Sequence, residues 1–320
     1  MNRRFALIQA LVSVVALAAV VWWASHQESP HIPTGGDALA WIATAIGLYV
    51  LATLVRAERW HQILEHTGVS SQRIDCYALT TVGYMGNNVL PARAGEALRV
   101  VLLAPRCGAS KRTVISSIVA ERLLDVIALM AIFLVTVYGV LSTAEVLPTR
   151  RPLLVTALGI CVLVAGAIAI WVLRSHDFFE RVRNWLRPLA DAPRALLAPW
   201  GLVLLAVTFV LWTLEATVYW SVARAISMDI SISGALYLVA LTNFVAALPA
   251  APGSLGTFDA AVAWGANRLG AAGSVALSYV ILIRFVLYVP ITIVGLVVLV
   301  TRYGGWSRLR SATRLEASRA

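Results

Sequence analysis

Leu90-Pro91-Ala92-Arg93-Ala94-Gly95-Glu96 interrupts an apolar run that would otherwise continue as helix. A related phrase, Leu248-Pro249-Ala250-Ala251-Pro252-Gly253-Ser254, interrupts another run 158 positions later. Proline removes a backbone donor and glycine relaxes the chain, so each phrase leaves peptide groups unpaired. At membrane depth such groups survive only when buried in protein or lining a polar cavity. Matched breaks in two halves of a membrane chain point to a transporter-type binding site.

The rest of the composition supports a bilayer setting. Sixty per cent of the 320 residues are apolar and only 13% are charged, with a mean hydropathy of +0.81. A soluble domain carries roughly twice that charged fraction. The net charge of +10 does not indicate nucleic acid, because the cations fall between apolar spans and in the tail rather than on one reading face. Cys76, Cys107 and Cys161 are odd in number and widely spaced, which excludes a disulfide framework and a CxxC metal or redox pattern. The sequence calls for no metal and no cofactor.

Six stretches are long enough to span, given that about 20 apolar residues cross the hydrocarbon core: Phe5–Ala24, Asp37–Arg59, Thr113–Leu141, Leu153–Arg174, Trp200–Ile226 and Ser274–Thr301. The first exceeds a signal-peptide core of about 7–15 residues and ends in Trp22-Trp23, an interfacial anchor. Between the spans lie Cys76–Ala104, broken at Pro91, and Gly234–Leu269, broken at Pro249 and Pro252. Their limbs are short for a full crossing, so they read as two re-entrant helical hairpins; full crossing would leave the direction of the other helices unchanged. The expected fold is an all-α polytopic membrane protein forming one integral membrane domain. Two inverted half-repeats cover about 1–152 and 153–305, and a basic tail follows at 306–320.

Arginine placement orients the chain. The loop Ser25–Gly36 carries no Lys or Arg, whereas Arg3-Arg4, Arg56, Arg59, Arg73, Arg106, Lys111, Arg112 and the tail do. Both termini are therefore expected in the cytoplasm, at a bacterial inner membrane, with Arg150-Arg151 as the exception. In His176–Leu189 the residues Phe178, Val182, Trp185, Leu186 and Leu189 follow helical spacing, as in an interfacial helix. A plain connector packed on the bundle fits the same pattern.

Ionisable groups within spans are costly and become functional candidates by default. Arg93, Glu96 and Arg99 sit in the first hairpin, and Glu121, Arg122 and Asp125 in the third span. Glu96 and Arg99 are three apart and able to pair on a helix. Glu121 and Asp125 share one face and need a cation between them, while Arg122 is free to reach Glu96. Asn88, beside Asn87, is placed to cap the break or to donate to an anion. In the second half Glu215, Asp259 and Arg284 lie deepest, and Arg284 needs a partner. These charges either form a closed network that only fixes the hairpins, or line a polar chamber for a phosphate-bearing head group. Pro91, Gly95, Pro249, Pro252, Gly253 and Gly256 would shape the breaks.

The run Asn88-Val89-Leu90-Pro91-Ala92-Arg93-Ala94-Gly95-Glu96-Ala97-Leu98-Arg99 resembles the signature of the flippase-like membrane family. This is the family of the transmembrane region of lysylphosphatidylglycerol synthetase. Glu121-Arg122-Leu123-Leu124-Asp125 and Pro252-Gly253-Ser254-Leu255-Gly256-Thr257-Phe258-Asp259 are similar to its other recurrent stretches, with Asp259 where a Glu is usual. The resemblance implies lipid translocation as a class, with membrane lipids and lipid-biosynthesis enzymes as partners. The chain ends soon after its last span, so the soluble aminoacyl-transferring domain, and with it lipid aminoacylation, is not expected. A lipid translocase without an ATP-binding loop is thus the first expectation. A membrane-embedded lipid-modifying enzyme, or a scaffold for hopanoid, glycolipid or polyprenyl-lipid synthesis, is the alternative. No HExxH, GxSxG or aspartate-rich diphosphate motif supports an enzyme.

Overall fold

A computed structural model describes residues 14–15, 17–30, 33–90, 93–140, 199–247 and 252–305. The spans expected at Leu153–Arg174 and over most of Phe5–Ala24, the interfacial segment His176–Leu189, the tail 306–320, Pro91 and Pro249 lie outside these residues. Residues 17–25 are helical, and eight longer helices follow: α1 (Gly36–His66), α2 (Arg73–Val89), α3 (Ala94–Leu103), α4 (Lys111–Leu134), α5 (Pro199–Ala225), α6 (Ile232–Ala246), α7 (Thr257–Arg268) and α8 (Gly273–Tyr303). The described residues contain no strand. Among the described residues four helical stretches are long and apolar enough to span a membrane: Gly36–His66, Lys111–Val140, Pro199–Ala225 and Gly273–Tyr303.

The order long, short, short, long occurs twice, as α1 to α4 and as α5 to α8. Each short pair is separated at one of the interrupting phrases. α2 ends as Leu90 turns extended (φ −96°, ψ 149°), and α3 starts from Arg93 in the left-handed region (φ 53°). The second break passes through a 3₁₀ turn at Pro252–Ser254, with Gly253 at φ 63° and Gly256 at φ 83°. Left-handed backbone suits glycine but strains arginine, so Arg93 is held there by its surroundings.

Local sequence sets the other ends. Ser110 caps α4 by accepting from the Thr113 N–H, and Ser231 caps α6 by accepting from Gly234. Past α4, Val135–Val140 widens into a π-helical turn. Pro290 lies within α8 without ending it, as transmembrane helices tolerate when neighbours re-satisfy the freed carbonyl. α1 runs on to His66 rather than stopping near Arg59, and terminates where Gly68 takes φ 78°. Arg56 and Arg59 are therefore helix-interior groups, 3% and 0% exposed. The sequence counts them among the cytoplasmic-side cations; the structure encloses both in protein.

Two large apolar cores, with a small third cluster of Ile63, Ala120, Leu124 and Leu204, fill the described bundle. One gathers Tyr219, Tyr237, Tyr279, Ile283 and neighbours around α5 to α8, and includes the second hairpin. The other gathers Trp60, Leu79, Met85, Leu103 and Leu299 around the first hairpin. α1 contributes Tyr49 to one core and Leu64 to the other; α4 contributes Leu129 and Val114 likewise. Arg56 and Arg59 on α1, and Glu121, Arg122 and Asp125 on α4, fall between those contributions, so these charges form a layer between the two cores. The outward face of α8, with Phe285, Val289, Ile293 and Val297 exposed, is apolar, as a lipid-facing surface must be.

The first hairpin is closed by backbone contact. A Cβ on Gly95 would overlap the Gly83 carbonyl and lie 2.6 Å from the Asn87 nitrogen, and one on Gly86 would lie 2.6 Å from the Gly95 Cα. Gly95→Val should therefore force α3 off α2 and cost about 1–3 kcal/mol or more, as overpacked cores do. A fall in thermal stability of the detergent-solubilised protein checks this. Gly47→Ala, where nothing lies within 4 Å, should change it little. At the far end of the same hairpin Asp75 accepts from Arg302 and Tyr303 of α8, with Arg106 at 3.7 Å. Asp75→Asn should loosen that clasp and raise amide exchange at the end of α8 without altering the bundle centre.

Candidate functional site

The charged layer is an interlocked set of arginines and carboxylates. Arg56 of α1 donates to Glu215 of α5 at 2.7 Å. Arg59, one turn on, donates to Asp125 and to the Thr208 hydroxyl, each at 2.8 Å. Arg99 of α3 donates to Glu121 at 2.7 Å, and Arg122 donates to the other oxygen of Glu121 at 2.8 Å. Arg122 also lies 3.5 Å from Asp125 and 3.7 Å from Glu96. Glu121, wholly buried, thus faces Arg59, Arg99 and Arg122 together. Aromatic faces supply further cation contacts: Arg99 stands 3.8 Å over Trp60, and Arg56 is 5.2 Å from Tyr84 and 5.4 Å from Trp212.

The charge balance is informative. Arg56, Arg59, Arg99 and Arg122 oppose Glu96, Glu121, Asp125 and Glu215, so these eight groups cancel in formal charge. Arg93 adds one cation, and its guanidinium donates to the carbonyl of Ala246 at the end of α6 rather than to a carboxylate.

These groups surround a cavity of about 340 Å³, within the range of small-ligand sites. Its walls carry Arg56, Tyr84, Asn87, Asn88, Arg93, Glu96, Arg99, Arg122, Asp125, Glu215, Asn243 and Tyr288. Several polar atoms of the wall residues are enclosed in protein without a hydrogen-bond partner: Arg56 Nη1, Arg99 Nε, Arg122 Nε, Trp212 Nε1, Thr80 Oγ1, Asn87 Oδ1 and Asp125 Oδ2. Four are nitrogen donors and two are pure acceptors. Buried polar groups normally find partners; these atoms are enclosed, and it is the part-exposed guanidiniums of Arg93 and Arg122 in the wall that suit a ligand rich in acceptor oxygens. Among the described residues no cluster of His, Cys, Asp and Glu has the makings of a metal site.

The two hairpin breaks meet at this cavity. Asn88 donates to Thr292 of α8 at 2.9 Å, and a Cβ on Gly253 would lie 3.3 Å from the Asn88 carbonyl. Arg93 reaches across to the second hairpin through Ala246. The second break is clamped by Arg284, which donates to Asp259 at 2.6 Å and to the Gly253 carbonyl at 3.2 Å. The other Asp259 oxygen accepts from the Gly256 N–H at 2.9 Å, fixing the start of α7.

Of the residues singled out from sequence, Asn88, Arg93, Glu96, Arg99, Arg122 and Asp125 line the cavity, with Gly253 in its wall. Glu121 lies behind the wall as the hub of the arginines. Asp259 and Arg284 hold the second break and are not among the lining residues. The pairing expected between Glu96 and Arg99 is replaced: Arg99 turns to Glu121, and Glu96 faces Arg122. Gly95 acts through hairpin closure and Gly256 through the α7 cap; Pro252 opens the 3₁₀ turn. Sequence reasoning missed Arg56, Arg59, Tyr49, Tyr84, Trp212 and Asn243. A signal existed in Tyr49, Thr53, Arg56 and Trp60, which recur at helical spacing on one face of an apolar helix.

Comparison with known proteins places this architecture. A "UPF0104 membrane protein" of Methanothermobacter thermautotrophicus is 20% identical over 312 residues, covering 89% of this chain and 92% of the relative. A second protein of that description, from Pyrococcus horikoshii, is 24% identical over 163 residues, covering 50% of this chain and 47% of the relative. "Glycosyltransferase AglD" of Haloferax volcanii is 23% identical over 296 residues, 78% of this chain. The chain spans about half the length of each of these last two. No solved structure matches significantly. The family model described as the lysylphosphatidylglycerol synthase TM region matches residues 7–295, and the chain therefore belongs to that membrane protein family.

Proposed function

We propose that this chain is a lipid translocase, in which the cavity at the meeting of the two hairpin breaks receives the phosphate-bearing head group of a membrane lipid. The observation that carries the reading is the pair of part-exposed guanidiniums in the cavity wall, Arg122 and Arg93, the latter donating to the Ala246 carbonyl and, among the described residues, meeting no carboxylate. A guanidinium presents a planar donor fork that fits phosphate oxygens. Asn88, Arg99 and Arg122 complete the donors; Asp125 and Glu96 suit a cationic group on the same head group or a coupling proton.

In this reading α2–α3 and α6–α7 are re-entrant hairpins. At 1.5 Å per residue their limbs reach about 15–26 Å, short of a hydrocarbon core of about 30 Å. The two halves are inverted across the membrane plane, with the first hairpin entering from the cytoplasm at a bacterial inner membrane and both termini inside. No Walker A loop occurs in the sequence, so movement follows an ion gradient or the lipid's own gradient.

The test is reconstitution of the full chain into liposomes with fluorescent phosphatidylglycerol or phosphatidylcholine in one leaflet. Protein-dependent acceleration of leaflet exchange for the anionic lipid supports the proposal, and Arg93→Gln should cut it about tenfold or more, the effect of losing a charge-assisted bond of about 1.5–3 kcal/mol. Equal exchange with and without protein across anionic and zwitterionic lipids would overturn it.

A second reading is favoured by the Haloferax relative, which is named as a glycosyltransferase. The same cavity would then hold a lipid-linked phosphate for an enzyme acting beside it. Lipid mass spectrometry of cells with and without the gene separates the two, since only the second reading predicts loss of a covalent lipid species.

A further inference from the structure

A second concavity adjoins the first. It is a groove of about 580 Å³ between α3 and α4, floored by apolar side chains that include Ala97, Val101, Ile115, Val119 and Leu123. Ile115, Val119, Leu123 and Val126 recur at three- or four-residue spacing along α4, and each is more than a third exposed. From Ile115 to Val126 the groove follows α4 for about 17 Å. Two residues belong to both concavities: Glu96 and Arg122. Their side chains, 3.7 Å apart and part-exposed, form the partition between a donor-rich chamber and an apolar channel.

Apolar residues facing lipid need no explanation singly. This groove differs from the smooth lipid-facing side of α8 in opening directly onto the charged layer. A molecule filling both spaces must be anionic at one end, to answer the part-exposed guanidiniums of Arg93 and Arg122, and hydrocarbon along the rest, to cover the groove. Arg122 is suited to the junction, because its stem can lie along apolar surface while the guanidinium reaches polar groups. Its Nε faces Glu96 only at 3.7 Å and has no hydrogen-bond partner.

We propose that the groove between α3 and α4 holds one hydrocarbon chain of the lipid whose phosphate occupies the chamber, with the Glu96–Arg122 pair as the lateral portal between them. This rests on the lipid reading given above and adds the route: the lipid enters sideways between the second limb of the first hairpin and α4. The head group passes the portal while at least one chain stays in the apolar groove. Substrates are then selected by their tail as well as by their phosphate, which excludes free phosphate and short water-soluble phosphates as cargo.

Two measurements on the full chain test this. The first uses a phosphatidic acid analogue with a photoactivatable diazirine midway along one acyl chain, in nanodiscs of phosphatidylcholine. Irradiation and peptide mapping should place adducts on the α3 and α4 peptides containing Val101 and Val119 several-fold above the α8 peptide containing Ile293 and Val297. Adducts spread evenly over these peptides would mean surrounding lipid only and would overturn the proposal. Protein-to-protein cross-links from Val119→Cys to residues 153–174 would overturn it as well, by showing that the chain itself fills the groove. The second measurement fills the groove: Val119→Trp should slow lipid exchange about tenfold, equivalent to about 1.4 kcal/mol, while Val297→Trp on the open face of α8 leaves it unchanged. Exchange that is intact in both variants would overturn the groove while leaving the translocase standing. Groove-specific adducts without any exchange would support the groove and remove the translocase.

Discussion

Glu121→Ala should unfold or misassemble most of the protein, with a loss of about 3–5 kcal/mol, the cost of stranding buried charge by removing one partner. Glu121 is 0% exposed and faces Arg59, Arg99 and Arg122 within 3.6 Å. Arg59 is itself wholly buried and Arg99 nearly so, so neither can turn to water when the carboxylate is gone. Glu121→Gln keeps the shape and one acceptor oxygen but removes the charge. It should be less damaging to assembly than alanine and still leave the layer one positive charge too rich. Monodispersity by size-exclusion chromatography and thermal unfolding in detergent report the first effect. Full recovery by glutamine would show that shape alone matters at this position, contrary to the prediction. Rescue of Glu121→Ala by Arg99→Leu, with its guanidinium replaced by a hydrocarbon under Trp60, would support the electrostatic cause, because the stranded charge is then removed too.

The legible part of this molecule was the part written in local chemistry. The breaks at Leu90 and Pro252 could be found because proline and glycine act on their own backbone, and the four spans among the described residues because apolar length is counted directly. Cavity-lining charges such as Arg93, Glu96 and Arg122 stood out because each sits in a stretch where any charge is costly. Arg56 and Arg59 did not, since two arginines near the end of an apolar stretch ordinarily mark the membrane surface. What draws them into the site is partners 159 and 66 positions away, Glu215 and Asp125, and no local pattern encodes a distant partner. The Glu96–Arg99 pairing failed for the same reason: helical spacing allowed it, but Glu121 on another helix offered Arg99 a fully buried carboxylate. The aromatic walls, Tyr84 and Trp212, were invisible because aromatic residues on apolar helices are more often plain core.

Arg56→Glu alone should abolish lipid exchange and sharply lower the amount of folded protein, and adding Glu215→Arg should restore much of both. Arg56 and Glu215 join α1 to α5, the long helices that open each repetition of the long-short-short-long order, at 2.7 Å and with side chains 3% and 8% exposed. The single change places two carboxylates together beside Asp125 in a desolvated layer, where like charges cost several times what they cost in water. The double change rebuilds the pair in reverse. Restoration should be incomplete, because Arg56 also lies against Tyr84 and Trp212, and a carboxylate there is repelled by the same ring faces that attract a guanidinium. The size of the shortfall measures how much of the layer depends on charge pairing and how much on the aromatic walls. If the double variant is no better than Arg56→Glu, the pair is not what couples the two helices, and the chamber owes its shape to the packing of α1 on α5 instead. If it folds fully but does not exchange lipid, the pair's direction matters to the cargo. Arg56, a residue of the cavity wall whose Nη1 has no hydrogen-bond partner, would then be one of the groups that holds the phosphate.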